Sequence, residues 1–453
     1  MSLCVSKTDL VQLTQLEKDA FLELGDLPSL RRILESVPGW SNGCTAKVRA
    51  TAGGMTNVVI LVEFECGSAL VGGFGAAIVR IRSAFSTQDK NVLVDLNHER
   101  NVALLASELG IGPRCLFEFA NGRVEEYIRG QQVTSGRMRE SDVATGVAEA
   151  LAEFHVTMYD ALFRDSGKCS GAQSFNENPP LEDGAGKLNI GVGVSLWERM
   201  KGWLAWIQVG GDEGMKVALD GVEGEIVILE KIVDSWDAHI GYCHNDLQCG
   251  NMLLVTQQDT ILVRLIDYEY ATVGDICIDI ANHFCEYAAD YESDTSAAIL
   301  DWTKLPSCKQ AIFFCRAYVA HLFKSKNHAA SVTADGTGSL CKAIELSSRD
   351  YQFGKDHNLQ ELDKQEKPAC RDMASELPDF LDAAAVVLYE KAHDFEALSH
   401  LQWALWGFIQ HCISTIDFDF LRYGYDRLNR YHETKQRILA HRHRLKNEIL
   451  PEK

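Results

Sequence analysis

Residues 242–270 (YCHNDLQCGNMLLVTQQDTILVRLIDYEY) constrain the fold of this chain more than any other segment. Asp246 stands in a short polar loop, Asn251 follows it, and Asp267 comes after a second apolar run. The runs 251–255 and 260–266 have the composition of strands and flank a polar turn, which is the pattern of a β-hairpin. The segment therefore predicts a loop and a returning strand that bring two carboxylates and an amide together.

The spacing H-x-D-x4-N, followed by an apolar-flanked Asp, is typical of phosphoryl-transfer enzymes of the protein-kinase type. That chemistry needs a carboxylate that orients and deprotonates a hydroxyl, a second that holds Mg²⁺, and an amide oxygen that completes the metal shell without adding charge. We predict Asp246 as the catalytic base, Asn251 and Asp267 as metal ligands, and Glu269 as a ligand of a second ion. For this motif alone, ordinary loop and strand chemistry remains an alternative.

Together with its continuation ATVGDICIDIANHFCEY (271–287), the segment resembles the phosphotransferase motif and signature of the choline/ethanolamine kinase family. The resemblance extends from about Gly53 to Tyr431 and leaves out inserts at 66–75 and 324–378. It implies an α+β, bilobal protein-kinase-like fold of the aminoglycoside phosphotransferase and choline kinase type. Residues 1–129 would form an N-terminal lobe of helices, an antiparallel sheet and one further helix, and residues 130–453 a larger, mostly helical C-terminal lobe.

The same resemblance implies ATP-dependent phosphorylation of the hydroxyl of ethanolamine or choline, with ATP and Mg²⁺ as cofactors. This is the first step of the CDP-ethanolamine and CDP-choline routes to phospholipids. The stretches 414–421 (STIDFDFL) and 91–95 (NVLVD) favour the ethanolamine branch, whereas the loop 273–275 lacks the aromatic residues that both branches often carry. The headgroup preference therefore stays open, and dual specificity is an alternative.

Two strand-like runs around 53–57 (GGMTN) predict a hairpin whose backbone N–H groups contact phosphates. It resembles the Gly-Gly-x-(Ser/Thr)-Asn loop of the family, although Ala52 stands where an Arg is common. In the strand 76–82 (AAIVRIR), Arg80 would bind phosphate and pair with Glu99 on the helix 95–110. Residues 125–128 stand where the lobe-connecting hinge of the family lies, and their backbone would bind adenine. The implied ATP-binding residues are Thr56, Asn57, Arg80, Glu99, Glu126 and Ile128.

The segment 401–431 is rich in aromatic residues, and Trp403 and Trp406 share one face if it is helical. Aromatic faces combined with a carboxylate are the chemistry that binds a substituted ammonium group. Without the family resemblance, such a Trp pair would more often indicate core packing. The resemblance implies the substrate residues Gln248, Glu286, Tyr291, Trp403, Trp406, Asp417 and Tyr423.

The composition fits a soluble globular protein, with 46% apolar and 24% charged residues in a chain of 453, long enough for two domains. The net charge of −20 argues against nucleic acid as a partner. We expect no signal peptide, no integral membrane contact and a cytoplasmic location, since no apolar run has the required length. The 14 cysteines are scattered and predict reduced, buried thiols, without the C-x-x-C pairs of a structural zinc site. The partners are thus an amino alcohol and ATP, and a homodimer stays open.

Two other enzyme classes share the catalytic block, and a catalytically inactive scaffold on the same fold is a third alternative. A protein kinase would need D-F-G and A-P-E landmarks, but Tyr268-Glu269 follows Asp267 and no A-P-E occurs. An antibiotic-type phosphotransferase predicts an acidic, less aromatic pocket. A catalytically inactive scaffold does not need the intact acids. The polar stretch 324–378 reads as a mobile insertion without a catalytic role.

Overall fold

The computed structural model describes residues 3–5, 27–37, 46–50, 57–64, 75–82, 93–163, 191–257, 260–291, 293, 297–329, 340–344 and 380–441. The chain divides into two compact units, Met1–Gly130 and Gln131–Lys453. The first is built around a sheet and the second is mostly helical. The predicted α+β class is confirmed.

The first unit consists of strands and two described helices. They are β1 (Leu3–Val5), α1 (Leu27–Ser36), β2 (Ala46–Ala50), β3 (Asn57–Phe64), β4 (Ala76–Arg82), α2 (Leu96–Glu108), β5 (Cys115–Phe119) and β6 (Gly122–Glu126). The strands form one sheet in the order β1-β2-β3-β4-β6-β5, and each neighbouring pair is antiparallel. This arrangement places β4 between β3 and β6.

One hydrophobic cluster joins α1 to the sheet. Leu30, Ile33 and Leu34 recur at helical spacing and are buried against alternate residues of β4, including Val79 and Ile81. Because strand side chains alternate between faces, Arg80 points to the face opposite Val79. The core of this unit thus fixes which face of the sheet carries Arg80.

Gly122, at the start of β6, is required by a close approach. A Cβ atom there would lie 2.1 Å from the carbonyl oxygen of Arg80 and 2.4 Å from the Phe119 ring. No side chain fits at those distances, so the hairpin predicted around Asn121-Gly122 packs directly on β4.

The second unit contains three small strand pairings and a set of helices. In chain order the elements are β7 (Gln131–Gln132), α3 (Ser141–Phe163), α4 (Leu196–Gly210), α5 (Glu213–Ala218), α6 (Val222–Asp234), β8 (Ile240–Cys243), β9 (Met252–Gln257), β10 (Thr260–Leu265), β11 (Thr272–Asp275), α7 (Ile276–Glu286), α8 (Cys308–Ala329), α9 (Phe380–Ile413) and α10 (Phe420–Leu439). The hairpin of β9 and β10 predicted from the sequence is confirmed, with β7 as a third strand. β8 pairs antiparallel with β11.

Two predicted boundaries in this unit are wrong. The helix predicted over 224–240 ends at Asp234 and is followed by β8, because the backbone of β8 pairs with β11. The insertion predicted to begin at 324 begins later, since α8 continues to Ala329. Residues 340–344 are helical, and residues 330–339 and 345–378 lie outside the described residues.

Helices α9 and α10 touch backbone to backbone at two glycines. A Cβ atom on Gly407 would lie 3.0 Å from Cα of Gly424, and one on Gly424 would lie 2.7 Å from the Phe408 ring. The residues preceding these glycines, Trp406 and Tyr423, consequently have ring centroids 6.0 Å apart.

The cysteines mostly agree with the prediction of buried thiols. Free buried thiols include those of Cys243, Cys277 and Cys315. Cys308 departs from the prediction because it is disulfide-bonded. Among the described residues, no helix combines the length and the apolar character needed to cross a bilayer.

Candidate active site

The loop that carries Asp246 is held in place by α7. Asp279 accepts hydrogen bonds from the backbone N–H groups of His244 (2.5 Å) and Asn245 (2.9 Å). It also contacts His155 Nε2 of α3 at 3.0 Å. Although burial alone would raise the pKa of Asp279, these partners lower it, so the carboxylate stays ionised and grips the loop.

Two further α7 side chains bind the same loop. Asn282 Nδ2 donates to the carbonyl oxygen of Asn245 (3.4 Å), and His283 Nδ1 lies 3.0 Å from the carbonyl oxygen of Leu247. α7 therefore contacts the loop on both sides of Asp246.

Two residues of the site have backbone conformations that non-glycine residues rarely adopt. Among the described residues, the non-glycine residues with positive φ are Asn245 (63°) and Asp267 (70°). Such conformations cost on the order of 1–3 kcal/mol and cluster at functional sites. The Asn245 side chain donates to the carbonyl oxygen of Tyr270 (3.0 Å), which fixes the loop to the segment after β10.

Asp246 and Asn251 are directly hydrogen-bonded. Asn251 Nδ2 donates to the Asp246 carboxylate and to its carbonyl oxygen, both at 2.8 Å. The backbone N–H of Ile266 donates to the carbonyl oxygen of Asn251 (3.0 Å), so Asp267 emerges beside this pair. The structure thus brings together the three residues that the hairpin was predicted to unite.

Acidic groups surround Asp246. Burial is the largest cause that raises its pKa well above the usual range, and the charges of Glu269, Glu286 and Asp267 raise it further. The hydrogen bond from Asn251 acts in the opposite direction. A cluster of acids of this kind is stabilised by a cation.

The donors fit Mg²⁺. Because the Asn251 amide nitrogen is used by Asp246, its oxygen is left as the ligand, and carboxylate and amide oxygens are the donors that Mg²⁺ prefers. Asp267 and Glu269 are half-buried and would supply the carboxylates. Both predicted ligand types are therefore present where the acids converge.

Two other buried groups in the described part combine metal-ligand residue types, namely His155, Cys243 and Asp279, and His239, Asp275 and Cys277. Their donors are already used within the protein. Asp279 binds the loop, and Lys391 Nζ donates to Asp275 (2.6 Å). Burial raises the pKa of Cys243 and Cys277 well above the usual value, so both thiols are neutral.

Trp403 and Trp406 of α9 are buried, with 5% and 7% of their surface exposed. Their ring centroids are 5.4 Å apart at 77°. Trp406 Nε1 donates to Tyr270 OH (2.9 Å), and the Tyr270 ring lies edge-on to Trp403 at 5.4 Å. The rings of Trp406 and Tyr270 thus both stand nearly perpendicular to that of Trp403.

The Trp pair is connected to the catalytic loop. Trp403 Nε1 donates to Asn282 Oδ1 (2.6 Å), and the same Asn282 binds Asn245, the neighbour of Asp246. The charge of Asp246 also acts on the pKa of Tyr270, which burial raises well above its usual value. The aromatic rings and Asp246 thus belong to one site.

A second part of this site contains Glu286, Tyr291 and Tyr423. Tyr291 OH donates to Glu286 Oε2 (2.9 Å) and lies 3.4 Å from Tyr423 OH. Burial raises the pKa of both tyrosines, so their hydroxyls stay protonated. Glu286, Tyr291 and Tyr423 are thus predicted substrate residues that contact one another. Asp417, in contrast, is exposed in the turn after α9. Gln248 is half-buried, and its Oε1 accepts from the backbone of Gly250 (3.1 Å).

The predicted ion pair between Arg80 and Glu99 is wrong, because each residue has a different partner. Arg80 Nε donates to Glu125 Oε2 (2.8 Å), and Arg123 Nε donates to Glu125 Oε1 (2.6 Å). Arg123 also binds both oxygens of Glu99, at 2.9 and 2.6 Å. Glu99 is therefore connected to Arg80 through Arg123 and Glu125.

The other predicted nucleotide contacts lie partly outside the described residues. Thr56 is not among them, and Asn57 opens β3. Glu126 ends β6, and its backbone N–H donates to the carbonyl oxygen of Arg114 (2.9 Å). Ile128 follows the strand and is half-buried.

Several residues that build the site were not singled out from the sequence. Asp279 and Asn282 lie in the motif D-I-x-N-H-F (279–284) of the continuation that carries the family resemblance, but neither was assigned a role of its own. Glu125 and Arg123 carried no local signal, because their role depends on the pairing of β4 with β6. Arg199, whose guanidinium lies 5.4 Å from the Tyr270 ring, carried none either.

Known proteins are similar to this chain in sequence and in fold. The model of a family described as choline/ethanolamine kinase matches residues 48–432. The chain is 28% identical over 390 residues to a probable choline kinase 2 of Arabidopsis thaliana, covering 86% of this chain and 85% of that protein. It is 24% identical over 429 residues to a probable ethanolamine kinase B of Dictyostelium discoideum, covering 86% and 87%.

Two solved structures are similar in fold. A choline kinase from Cryptosporidium parvum has a TM-score of 0.58 at 19% identity, covering 88% of this chain and 91% of that one. An ethanolamine kinase of Plasmodium vivax has a TM-score of 0.54 at 17% identity, covering 86% and 84%. The fold is therefore the bilobal kinase-like α+β fold, as predicted. With the family model matching most of its length, the chain belongs to the choline/ethanolamine kinase family.

Proposed function

We propose that this protein transfers the γ-phosphoryl group of ATP to the hydroxyl of ethanolamine or choline. The observation that carries the proposal is the path from Trp403 through Asn282 to Asn245, beside Asp246. A protein that only transferred phosphoryl groups would need the acids alone. A buried aromatic cage joined to the catalytic loop supports an alkylated or primary ammonium as the substrate's other end.

Asp246 acts as the base in this proposal. It orients the substrate hydroxyl and accepts its proton, while Asn251 fixes the carboxylate through its amide N–H groups. Asn251, Asp267 and Glu269 hold Mg²⁺. When bound, Mg²⁺ supplies positive charge that binds the phosphates and offsets the negative charge developing on them. The neighbouring acids raise the pKa of Asp246, so the same positive charge favours its ionised, proton-accepting form.

The ammonium end of the substrate is bound by rings and a carboxylate. Trp403, Trp406 and Tyr423 supply π-faces, and Glu286 with Tyr291 supplies a negative charge. Gln248 and Asp417 complete the predicted set, Gln248 near the hydroxyl and Asp417 at the exposed side. The product is phosphoethanolamine or phosphocholine.

The first unit supplies the nucleotide contacts. Thr56 and Asn57 contact phosphates through the glycine-containing loop, and Arg80 binds them as a fixed cation. Glu99 supports Arg80 through the intervening Arg123 and Glu125. The backbone of Glu126 and Ile128 binds adenine.

The test is ADP release by the purified chain with ATP, Mg²⁺ and, separately, ethanolamine, choline and an aminoglycoside. We expect turnover with an amino alcohol and none with the aminoglycoside. Asp246→Ala should abolish turnover and leave the circular dichroism spectrum unchanged, and Asp220→Ala, at an exposed position, is the matched control. If no amino alcohol releases ADP, the proposal fails and an inactive scaffold is the better description.

A further inference from the structure

A buried cation lies next to the proposed ammonium site. Arg427, on α10, has 0% of its surface exposed. A lone buried charge is costly, so its partners decide its role. Two of these partners, Glu286 and Tyr423, are assigned above to substrate binding, and the third is His400 Nδ1, 3.4 Å from Nη1.

Arg427 uses its guanidinium on two of these residues. Its Nη2 donates to Glu286 Oε1 (2.5 Å), and its Nε donates to Tyr423 OH (3.1 Å). The guanidinium carbon also lies 5.2 Å from the centre of the Tyr423 ring. A planar fork fixes the direction of both acceptors, which a lysine at the same place would not do.

Glu286 is thereby held from both sides. Arg427 takes Oε1 and Tyr291 OH takes Oε2. A carboxylate has about four acceptor positions, so each oxygen keeps capacity for another donor. With the carboxylate plane fixed by Arg427 and Tyr291, the remaining acceptor position on each oxygen has a fixed direction.

We propose that Arg427 is a positioning residue that favours ethanolamine over choline by aligning Glu286 as a hydrogen-bond acceptor for a primary ammonium group. This inference rests on the proposed function. The ammonium of ethanolamine has N–H donors and gains from an aligned carboxylate. The quaternary ammonium of choline has none and depends on the aromatic faces, so it gains little from that alignment.

Arg427→Lys keeps the buried charge and removes the fork. The KM and the calorimetric Kd for ethanolamine should rise about tenfold, because a hydrogen bond to a charged group contributes roughly a factor of ten to binding affinity. The values for choline and the KM for ATP should change by less than about threefold, and kcat should fall by no more than about twofold.

Arg430→Lys is the matched control. Arg430 lies on the same helix and pairs with Glu433. The guanidinium carbons of Arg430 and Arg427 lie 5.6 and 5.8 Å from the centre of the same Trp302 ring. We expect no change in either amino-alcohol constant for this variant.

A double variant keeps the test informative if Arg427→Lys folds poorly. Glu286→Gln with Arg427→Met removes both buried charges together, which proteins tolerate better than the loss of one partner. If Arg427 acts through Glu286, the double variant should bind ethanolamine as weakly as Glu286→Gln alone.

Equal increases for ethanolamine and choline in Arg427→Lys would overturn the inference, as would a lowered melting temperature with unchanged constants. Wild-type protein that binds ethanolamine but transfers no phosphoryl group would refute the proposed function, and the Kd values would still decide the role of Arg427. Wild-type protein that binds neither amino alcohol would overturn both.

Discussion

Asn282 joins recognition to catalysis through one amide group. Its oxygen accepts from Trp403 Nε1 (2.6 Å) and Ser399 Oγ (2.9 Å), and its nitrogen donates to the backbone of Asn245. The orientation of this amide is therefore fixed, since exchanging O and N would place donors against donors. A change at Trp403 can consequently affect both the aromatic wall and the loop.

Replacing Trp403 should separate the two substrates. For Trp403→Ala we expect the KM for choline to rise more than the KM for ethanolamine, because a methylated cation depends on the aromatic face. The ratio of the two increases should be about threefold to thirtyfold. Steady-state kinetics on both amino alcohols measure this.

Trp403→Phe is the control for the lost hydrogen bond to Asn282. It keeps an aromatic ring and removes the indole N–H. Any fall in kcat that it shares with Trp403→Ala therefore comes from the lost hydrogen bond to Asn282, which holds the loop. Equal effects of Trp403→Ala on the two substrates would contradict its place in a cation site.

At the scale of elements, the pairing of β4 with β6 places Arg80 opposite Arg123. Arg123 is buried and Arg80 is half-buried, so two neighbouring cations need an acid between them, and Glu125 pairs with both. Burial alone would raise the pKa of Glu125, but Arg123 and Arg80 lower it to about 2. Its stabilising charge is thus fully present above the unfolded pKa near 4.5 and is lost as the pH falls towards about 2.

Replacing Glu125 should loosen Arg80. Glu125→Gln leaves two cations without their shared acid, so we expect the KM for ATP to rise several-fold and the free energy of unfolding to fall by about 3 kcal/mol. The KM for the amino alcohol should not change. Kinetics with varied ATP and chemical denaturation measure the two effects.

Glu118→Gln is the control, because Glu118 lies in the same hairpin and pairs with Arg100 where both side chains are partly exposed. A rise in the KM for ATP in this variant, or none in Glu125→Gln, would contradict the positioning of Arg80 by Glu125.

The crossing of α9 and α10 sets the distance between Trp406 and Tyr423. Gly424→Ala would put a methyl group 2.7 Å from the Phe408 ring, so the helices must separate. We expect the free energy of unfolding to fall by about 1–3 kcal/mol and the KM for the amino alcohol to rise. Denaturant unfolding and kinetics test this.

Gly202→Ala is the matched control on α4. A Cβ atom there meets nothing within 4 Å, so the substitution should stabilise the helix by about 0.5–1 kcal/mol and leave the kinetics unchanged. If Gly424→Ala behaved like Gly202→Ala, the close helix contact would be refuted.

The sequence predicted those parts of the site that local patterns encode. The β9–β10 hairpin and the spacing of Asp246, Asn251 and Asp267 are local, and the structure brings them together. The partner of Arg80 is not local, because it depends on which strand lies beside β4. Arg427 illustrates the same limit, since α10 reads as an ordinary charged helix and the buried contacts of Arg427, with Glu286 of α7 and His400 of α9, arise only from tertiary packing.

At the scale of the whole molecule, the net charge is −20, and some of the acidic residues form an internal cluster around Asp246. Because the folded pKa of Asp246 is raised, the unfolded chain releases this proton first. The group therefore lowers the free energy of unfolding as the pH rises above the unfolded value of about 3.9.

Removing that charge should stabilise the protein. Asp246→Asn should raise the melting temperature in the presence of a chelator, with a larger gain at about pH 6 than at about pH 4. Mg²⁺ should stabilise wild-type protein, and the benefit should grow with pH. Thermal unfolding across this range measures both, and a gain that is larger at the lower pH would contradict the raised pKa of Asp246.

The clamp of α7 on the loop also bears on how the enzyme could change its substrate. Asp279 and His283 hold the loop from a helix that contributes neither indole of the cage, while Trp403, Trp406 and Tyr423 stand on α9 and α10. Apart from Trp403, which is connected to the loop through Asn282, these aromatic residues can thus change in small steps while α7 keeps holding the loop. We expect laboratory selection for bulkier amino alcohols to accumulate changes on the last two helices and to spare the clamp.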